Sequence, residues 1–380
     1  MLDLEFTAEQ EMLRTAVHDL LEDHCGPDVV RQMEDDPIGF PPELWRRLAE
    51  MDMVGLLVPE RNGGSGMSLL EGVVLYEELG RALAPVPHFV SSVMAAGALR
   101  LAGSEAQQDE WLPGIASGER IVTTAWIEPE SGFGPAGVQL GAEADGSDFV
   151  LRGTKWHVPF AKAAQAMVVL ARTGAGRGPE GVDLFVVPTD APGVGLTQQL
   201  TIASDTQYQV TFDGVRVPAT ARLGAAEGWA TWDTLMHDGI VLLAAQAIGG
   251  ARRALELTTQ YAKDRRQFDK PLGAFQAIGH YLSDAVTRVD GGEQLVHEAA
   301  WARATGRPID RLAPMAKLYA CQTFRDLTAM AQQVFGGIGF TLEFDIQLYF
   351  RRAKSLQLSW WDGRYLEELV ASSVLEGAPA

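Results

Sequence analysis

A cluster of cations precedes a new helix in residues 261–276, which read YAKDRRQFDKPLGAFQ. Lys263, Arg265 and Arg266 end one predicted helix, a Pro-Gly turn follows, and the next helix begins near Phe275. The first turn of a helix exposes unpaired N–H groups and carries partial positive charge, so cations beside it form a site for a diphosphate. The same pattern is equally consistent with basic residues that cap a surface helix.

A second candidate segment is the glycine-rich run QVFGGIGF at residues 333–340, after another predicted helix. Gly336, Gly337 and Gly339 let the backbone approach a ligand closely and present amides to a phosphate or an adenosine. Alone the signal is weak, because most glycine-rich helix ends are ordinary C-caps.

Helices are predicted to fill the first third of the chain. Thr7 and Gln10 have the spacing of a capping box, and the helix that they begin stops at Gly26-Pro27. Further amphipathic helices are predicted over residues 42–51, 69–83 and, as the last of this group, 91–101.

Short segments rich in valine, threonine and aromatic residues follow from about residue 120. Strands are predicted over residues 121–127, 149–152, 167–171, 184–187 and 208–217. Within the last of them, Asp213-Gly214 accepts the positive φ values of a type I′ turn, which predicts a hairpin.

Long helices return after about residue 224 and are predicted over residues 238–263, 275–305 and 308–335. Small residues crowd the first of them, which allows close helix contact as in a four-helix bundle. The predicted fold class is α+β: an N-terminal helical domain (1–119), a central antiparallel β-domain (120–223) and a C-terminal four-helix bundle (224–380).

Charge and composition narrow the class of protein. Thirty-one basic against 50 acidic residues give a net charge of −19, which argues against a nucleic-acid partner. Cys25 and Cys321 lack metal-ligand spacing, and the apolar helical surroundings of Cys321 predict a buried free thiol. The acidic start MLDLE and the absence of a long unbroken apolar run predict neither a secretion signal nor a membrane span, and favour the cytoplasm.

Residues 261–278 (YAKDRRQFDKPLGAFQAI) and 333–340 closely resemble the two C-terminal signatures of the acyl-CoA dehydrogenase family. The helical–β–helical order resembles that family over essentially the whole chain. The resemblance implies FAD between the β-domain and the bundle, with its adenosine end reaching a neighbouring subunit. It therefore also implies a homodimer, a homotetramer or a heterotetramer with a paralogue.

The resemblance assigns the cofactor contacts residue by residue. Arg265 would pair with the pyrophosphate, beside Gln267 and Phe268. Further nucleotide contacts would come from Phe275, Gln276, Gln333, Gly336 and Gly337.

The resemblance assigns the flavin face to residues 125–132 (AWIEPESG) and 155–159 (KWHVP). Ile127 and Val158 stand where the family usually has hydroxyl residues, so backbone amides would bond the ring there. Trp126 and Trp156 would cover its face, although ordinary packing also explains a tryptophan at each position.

Family chemistry removes a proton from the acyl Cα while a hydride leaves Cβ for the flavin, giving a trans-2-enoyl-CoA. The electrons then pass to an electron-transfer flavoprotein. The α-proton of a thioester is weakly acidic, so the reaction needs hydrogen bonds to the carbonyl and a carboxylate made more basic by burial.

Neither of the family's two positions for the basic glutamate holds a carboxylate here. Alignment on the RAK sequence places one position at Trp360, and alignment on the first bundle helix places the other at Gly239. The nearby Asp362 and Asp238 are the candidate bases, with His237 a weaker one. Asp238 is also typical of a helix N-cap, and Asp362 of an Asp-Gly turn.

Three functions fit these residues. The first is an acyl-CoA dehydrogenase active alone, with Asp238 or Asp362 as its base. The second is an FAD-binding partner subunit without a base, similar to subunits of heterotetrameric enzymes that act on steroid side chains. The third keeps the fold but changes the reaction, to that of an oxidase or of an enzyme acting on acyl-carrier-protein substrates.

Overall fold

The structure is a computed structural model that describes residues 6–129, 132–224 and 228–375. The acidic start MLDLE and two residues of the expected flavin-facing turn, Glu130 and Ser131, lie outside the described residues.

The helices are α1 (Ala8–His24), α2 (Pro27–Gln32), α3 (Pro42–Glu50), α4 (Leu69–Arg81), α5 (Ala96–Ala102), α6 (Glu105–Ala116), α7 (Gly228–Asp264), α8 (Gln276–Ala304), α9 (Leu312–Phe335), α10 (Ile346–Leu358) and α11 (Gly363–Leu375). A π-helix (Phe89–Ala95) leads directly into α5, and a 3₁₀ turn (Gly336–Phe340) follows α9. The strands are β1 (Val122–Ala125), β2 (Gly141–Asp145), β3 (Asp148–Pro159), β4 (Ala166–Arg172), β5 (Val182–Pro188), β6 (Val194–Gln199), β7 (Gln207–Pro218), β8 (Arg222–Leu223), β9 (Arg266–Gln267) and β10 (Lys270–Pro271).

Contacts divide the chain into two compact units that do not follow the chain order. The helical unit comprises Met1–Arg31, Ser68–Ala84 and Ile240–Ala380, and the sheet unit comprises Gln32–Met67 and Pro85–Gly239. The α+β class with N-terminal helices, an antiparallel-rich central sheet and a C-terminal bundle is confirmed. The domain boundaries near residues 120 and 224 stay a prediction.

Small residues on α7 bring the helices of the helical unit close together. A Cβ added to Gly249 would overlap the carbonyl oxygen of Glu77 on α4. One added to Gly250 would lie 2.6 Å from the ring of Phe324 on α9. Small residues are needed at these positions because larger side chains would push the helices apart, in agreement with the close helix contact that the sequence predicted.

The main sheet of the sheet unit has the order β6-β7-β3-β2-β4-β5-β8, with β1 beside β4. Most pairs are antiparallel, but β1 and β2 each pair with β4 in parallel. The predicted hairpin at Asp213-Gly214 is wrong, because β7 continues straight through both residues. Gly214, with φ of 68°, is instead the extra residue of a bulge between the partners of Leu151 and Arg152.

Two helix predictions need correction. The segment predicted as a helix over residues 91–101 begins as the π-helix, and α6 beyond it was not predicted although Ser104 and Gln107 form a capping box. Helix α7 begins at Gly228 rather than at Asp238. Its first turns carry the fully buried Trp232, so tertiary packing stabilises a segment for which local propensity did not predict a helix.

Helix α7 is the most apolar long helix among the described residues. Helix α7 is long and apolar enough to cross a membrane by length and composition, but 83% of its most apolar window is buried inside the protein, as in a core helix.

Cys25 and Cys321 are both free and buried, which confirms the expectation for Cys321. Burial raises the pKa of the Cys25 thiol to about 12, so this thiol stays neutral and unreactive.

Candidate functional site

The cationic segment of the helical unit folds into a small hairpin. After α7 ends, β9 pairs with β10 across a turn made by Phe268 and Asp269, whose φ values are 52° and 64°. Positive φ at both central residues is the geometry of a type I′ turn, here without the usual asparagine or glycine. The turn leaves the Phe268 side chain 86% exposed at the tip. Of the predicted phosphate-binding residues, Arg265 precedes β9 and Gln267 lies directly before the turn; both are exposed.

The second signature lies against the first. Tyr261, near the end of α7, stacks on Phe335, at the end of α9, with ring centroids 4.3 Å apart. Helix α9 then stops at Gly336, whose φ of 67° and ψ of −143° are open essentially to glycine alone. A Cβ on Gly336 or Gly337 would meet nothing within 4 Å, so this backbone is open to the approach of a ligand.

The charges of these segments fit the diphosphate half of FAD. The Arg265 guanidinium makes no hydrogen bond or ion pair with any residue that the structure describes. Helix α8 begins at Gln276. The preceding residue, Phe275, makes no side-chain hydrogen bond to the first N–H groups of the helix. An unpaired guanidinium beside uncapped helical N–H groups is suited to a phosphate, even in a chain with a net charge of −19. The exposed amide of Gln333 is equally without an internal partner in the described part of the chain.

In the sheet unit, Trp126 follows β1 and packs among aromatic rings. Its ring centroid lies 5.5 Å from that of Trp232 and 5.9 Å from that of Phe133. Trp156 lies on β3, is 37% exposed, and donates its backbone N–H to the carbonyl of Ile127 at 2.8 Å. This hydrogen bond joins Ile127 to Trp156, and Trp126 precedes Ile127 in the chain. Three residues expected at the flavin face therefore lie near one another.

A β-bulge shapes this part of β3. The register against β7 shifts between Lys155 and Val158, and His157 inside the shift has φ of 53°. Val158 points into the core of the sheet unit and is buried. The whole residue is only 1% exposed, and the expectation that its backbone amide replaces the missing hydroxyl stays a prediction.

One buried ion pair beside these residues was not predicted. Lys155 is fully buried, and its Nζ lies 2.6 Å from Oε1 of Glu128. Lys155 stands between Thr154 and Trp156 in the sequence, so no apolar alternation marked it as a buried charge that needs a partner.

The first family position for a base, Gly239, is enclosed by apolar side chains of the sheet unit. A Cβ there would lie 3.0 Å from Sδ of Met94 and 3.1 Å from Cζ of Phe89, both on the π-helix. Asp238 next to it lies well inside α7, so the predicted N-cap is wrong. One oxygen of its carboxylate is buried. Nδ1 of His237 donates to the carbonyl of Asp233, one helical turn earlier, at 2.9 Å.

The second position, Trp360, lies in the connection between α10 and α11. Trp360 and Trp361 have φ values of 54° and 70°, so two consecutive non-glycine residues take the left-handed conformation. Asp362 follows and caps α11: its Oδ1 accepts from the N–H of Tyr365 at 2.9 Å. The Asp-Gly turn predicted at Asp362 is therefore the start of a helix.

A fully buried lysine holds this connection. Nζ of Lys317 donates to the carbonyls of Ser359 and Trp361, both at 2.8 Å, and to that of Leu356 at 3.3 Å. Burial lowers the pKa of Lys317. One ammonium group on α9 thus holds the backbone on both sides of Trp360, where both tryptophans have positive φ.

One further cluster of polar groups lies in the helical unit. Glu77, Glu293 and His297 place possible metal-ligand atoms within 4.8 Å of one another. Arg14 already pairs with Glu77 at 2.9 Å, and Arg252 pairs with Glu293. With two guanidinium groups neutralising its carboxylates, the cluster is an internal ion-pair network.

Comparison with known proteins identifies the family. The chain matches the acyl-CoA dehydrogenase N-terminal domain over residues 7–119, the middle domain over 123–215 and the C-terminal domain over 226–364. It therefore belongs to the acyl-CoA dehydrogenase family, whose members are FAD-binding oxidoreductases acting on CH–CH bonds. The predicted family, enzyme class and cofactor are confirmed at this level.

Several relatives are similar over nearly their whole length. The ChsE4-ChsE5 complex from Mycobacterium tuberculosis has a chain 30% identical, with a TM-score of 0.90 and 100% of both chains covered. A variant of the Tcur3481-Tcur3483 steroid ACAD is 31% identical, with a TM-score of 0.87, covering 98% of this chain and 99% of the other. The caffeyl-CoA reductase-Etf complex subunit CarC of Acetobacterium woodii is 27% identical over 97% of this chain and 99% of its own. Oligomers and electron-transfer flavoprotein partners are thus confirmed among relatives.

Proposed function

We propose that this chain is an FAD-binding subunit, without its own base, of a hetero-oligomeric acyl-CoA dehydrogenase that forms a trans-2-enoyl-CoA. The observation that carries the proposal is the packing at Gly239. A Cβ there would lie 3.0 Å from Sδ of Met94 and 3.1 Å from Cζ of Phe89, so a glutamate is accommodated only if the ends of these two side chains move. The other family position holds Trp360, which cannot accept a proton.

In such an assembly the two units of the chain serve the cofactor differently. Arg265 and the uncapped start of α8 bind the diphosphate of an FAD held mainly by a neighbouring subunit. Trp126 and Trp156 cover a flavin ring, and the backbones of Ile127 and Val158 hydrogen-bond it. The bound flavin supplies hydride acceptance, and a paralogue supplies the glutamate that takes the α-proton.

The relatives agree with this assignment. Two of them were solved as complexes of differently named chains, ChsE4-ChsE5 and Tcur3481-Tcur3483, and the second is described as a steroid ACAD. CarC belongs to a reductase-Etf complex. We infer a heterotetramer with a paralogue, an electron-transfer flavoprotein as electron acceptor, a bulky acyl-CoA as substrate, and a cytoplasmic location.

A second candidate is an enzyme active alone, with Asp238 as its base. It is favoured by one observation: Asp238 is not used as a helix cap, and part of its carboxylate is buried beside Gly239. Asp362 is the weaker base, because its Oδ1 is occupied by the N–H of Tyr365.

One experiment separates the candidates. The chain is purified alone and together with a glutamate-bearing paralogue from the same genome. FAD content and anaerobic flavin bleaching are then measured with a panel of fatty and steroid-side-chain acyl-CoAs. We expect bleaching only in the mixed complex, and no effect of Asp238→Asn on it. Bleaching of the chain alone, abolished by Asp238→Asn but not by Asp362→Asn, would establish the second candidate instead.

A further inference from the structure

The ion pair between Lys155 and Glu128 ties together the segments assigned to the flavin face. Nζ of Lys155 also donates to the carbonyl of Trp126, at 3.2 Å. Oε1 of Glu128 accepts the backbone N–H groups of Gln139 and Leu140, each at 2.9 Å. One buried charge pair thus joins β3, the strand exit after β1, and the segment that leads into β2.

The pair lies beside the bulge of β3 on one side and beside Ile127 on the other. On β3, the bulge begins at Lys155: Lys155 is fully buried, whereas Trp156 next to it is 37% exposed. On the other segment, Glu128 directly follows Ile127, whose carbonyl accepts the N–H of Trp156. Each partner is therefore adjacent in sequence to a residue expected to contact the flavin.

Stability alone does not account for the pair. Removing two charges from water is costly, and apolar residues of similar volume commonly replace a buried ion pair without loss of stability. Burial lowers the pKa of Lys155 to about 8, which shows the direction of that cost. What an apolar pair cannot reproduce is the set of directed bonds to the carbonyl of Trp126 and to the N–H groups of Gln139 and Leu140.

We propose that Lys155 and Glu128 are positioning residues of the flavin face. By fixing the carbonyl of Trp126 and the start of the bulge at Trp156, they hold both indoles and the Ile127 backbone in the geometry that receives the isoalloxazine ring. The inference rests on the proposed assignment of these residues to the flavin.

The test uses the full chain in whichever assembly binds FAD. Lys155→Met, Glu128→Gln and the apolar double variant Lys155→Met/Glu128→Leu are compared with Lys162→Met, which removes an exposed lysine of the same unit. Amide hydrogen exchange at Trp156, Gln139 and Leu140 is measured without FAD. The FAD dissociation constant and the flavin absorbance spectrum are measured with it.

We expect faster exchange at these amides in both single variants and about tenfold weaker FAD binding, the equivalent of one charge-assisted hydrogen bond. The double variant should regain the thermal midpoint of the native chain but neither the FAD affinity nor the spectrum. Lys162→Met should change none of these quantities. A double variant that binds FAD as tightly as the native chain, with the same spectrum, would overturn this inference alone. Absence of FAD from every assembly of the native chain would overturn the proposed function as well.

Discussion

Gly239 has two close neighbours, Met94 and Phe89, and any side chain placed there requires both to shift. Gly239→Glu should fail to restore a base and should lower the free energy of unfolding by about 3 kcal/mol. The reason is that the new side chain must displace Met94 and Phe89 and would bury a carboxylate without a partner. Urea denaturation measures the loss, and anaerobic flavin bleaching tests for activity.

The matched control is Gly279→Glu in α8, where the nearest neighbour of an added Cβ is 3.8 Å away. It should be nearly neutral. Adding Phe89→Ala to Gly239→Glu should recover part of the lost stability, because it removes one of the two obstructing side chains. An equally stable Gly239→Glu single variant with new activity would show that the site is open.

Asp362 stabilises α11 through the oxygen that caps the helix. A serine hydroxyl should therefore preserve this role, whereas the methyl group of alanine should not. Asp362→Ala is expected to destabilise the chain by about 1 kcal/mol and to fray α11, whereas Asp362→Ser keeps most of the stability. Thermal unfolding of the two variants provides the measurement. If both variants lost flavin bleaching equally while staying folded, the carboxylate would have a chemical role beyond the cap.

At the scale of elements, the π-helix is anchored by a buried histidine at its start. Nε2 of His88 lies 3.0 Å from the carbonyl of Met53. Burial lowers the pKa of His88 from 6.5 to about 4. The unfolded chain therefore binds a proton below about pH 6.5 that the folded chain does not, and stability falls as the pH drops from there towards 4.

We expect this histidine to remove about 3 kcal/mol of stability between those pH values. Chemical denaturation at a series of pH values should show the slope, and His88→Gln should reduce it. His280→Gln, which replaces an exposed histidine, should leave the slope unchanged. An identical slope in native and His88→Gln chains would mean that another group governs the acid loss.

The connection between α10 and α11 depends on Lys317. Consecutive left-handed residues cost roughly 1–3 kcal/mol each, and the ammonium offsets this cost by binding the carbonyls of Ser359 and Trp361. Lys317→Met should lower the free energy of unfolding by about 3 kcal/mol and speed amide exchange over residues 358–363. The exposed Lys263→Met is the control, and unchanged exchange in Lys317→Met would contradict the role.

Local signals predicted those elements whose ends depend on neighbouring residues alone. The capping box of Thr7 and Gln10 begins α1 as predicted, since both of its hydrogen bonds lie within four residues. The hairpin prediction at Asp213-Gly214 was wrong for the opposite reason. A glycine at positive φ suits a turn or a bulge, and only the pairing of β7 with β3 along its whole length selects the bulge.

At the scale of the whole molecule, the exposed apolar residues of α8 bear on assembly. Tyr281 and Val286 are 49% and 46% exposed, and neighbouring exposed apolar side chains are typical of an interaction surface. Tyr281→Asp/Val286→Asp should shift the assembly towards smaller species in analytical ultracentrifugation, because buried charges disfavour a subunit interface. Val374→Asp, at an equally apolar exposed position on α11, should leave the sedimentation profile unchanged. A native profile in the α8 variant would place the interface elsewhere.

The sequence by itself determined the family, the cofactor and the residues of the two C-terminal signatures. These depend on short runs of residues such as 261–278 and 333–340, whose glycines and cations carry their chemistry wherever they fold. The sequence also showed that both family base positions lack a carboxylate.

Only the tertiary structure decided what those positions hold instead. Gly239 is crowded by residues of a π-helix about 150 positions earlier in the chain, and the connection at Trp360 is fixed by Lys317 on another helix. Such roles follow from contacts between residues distant in sequence, which local propensity does not encode.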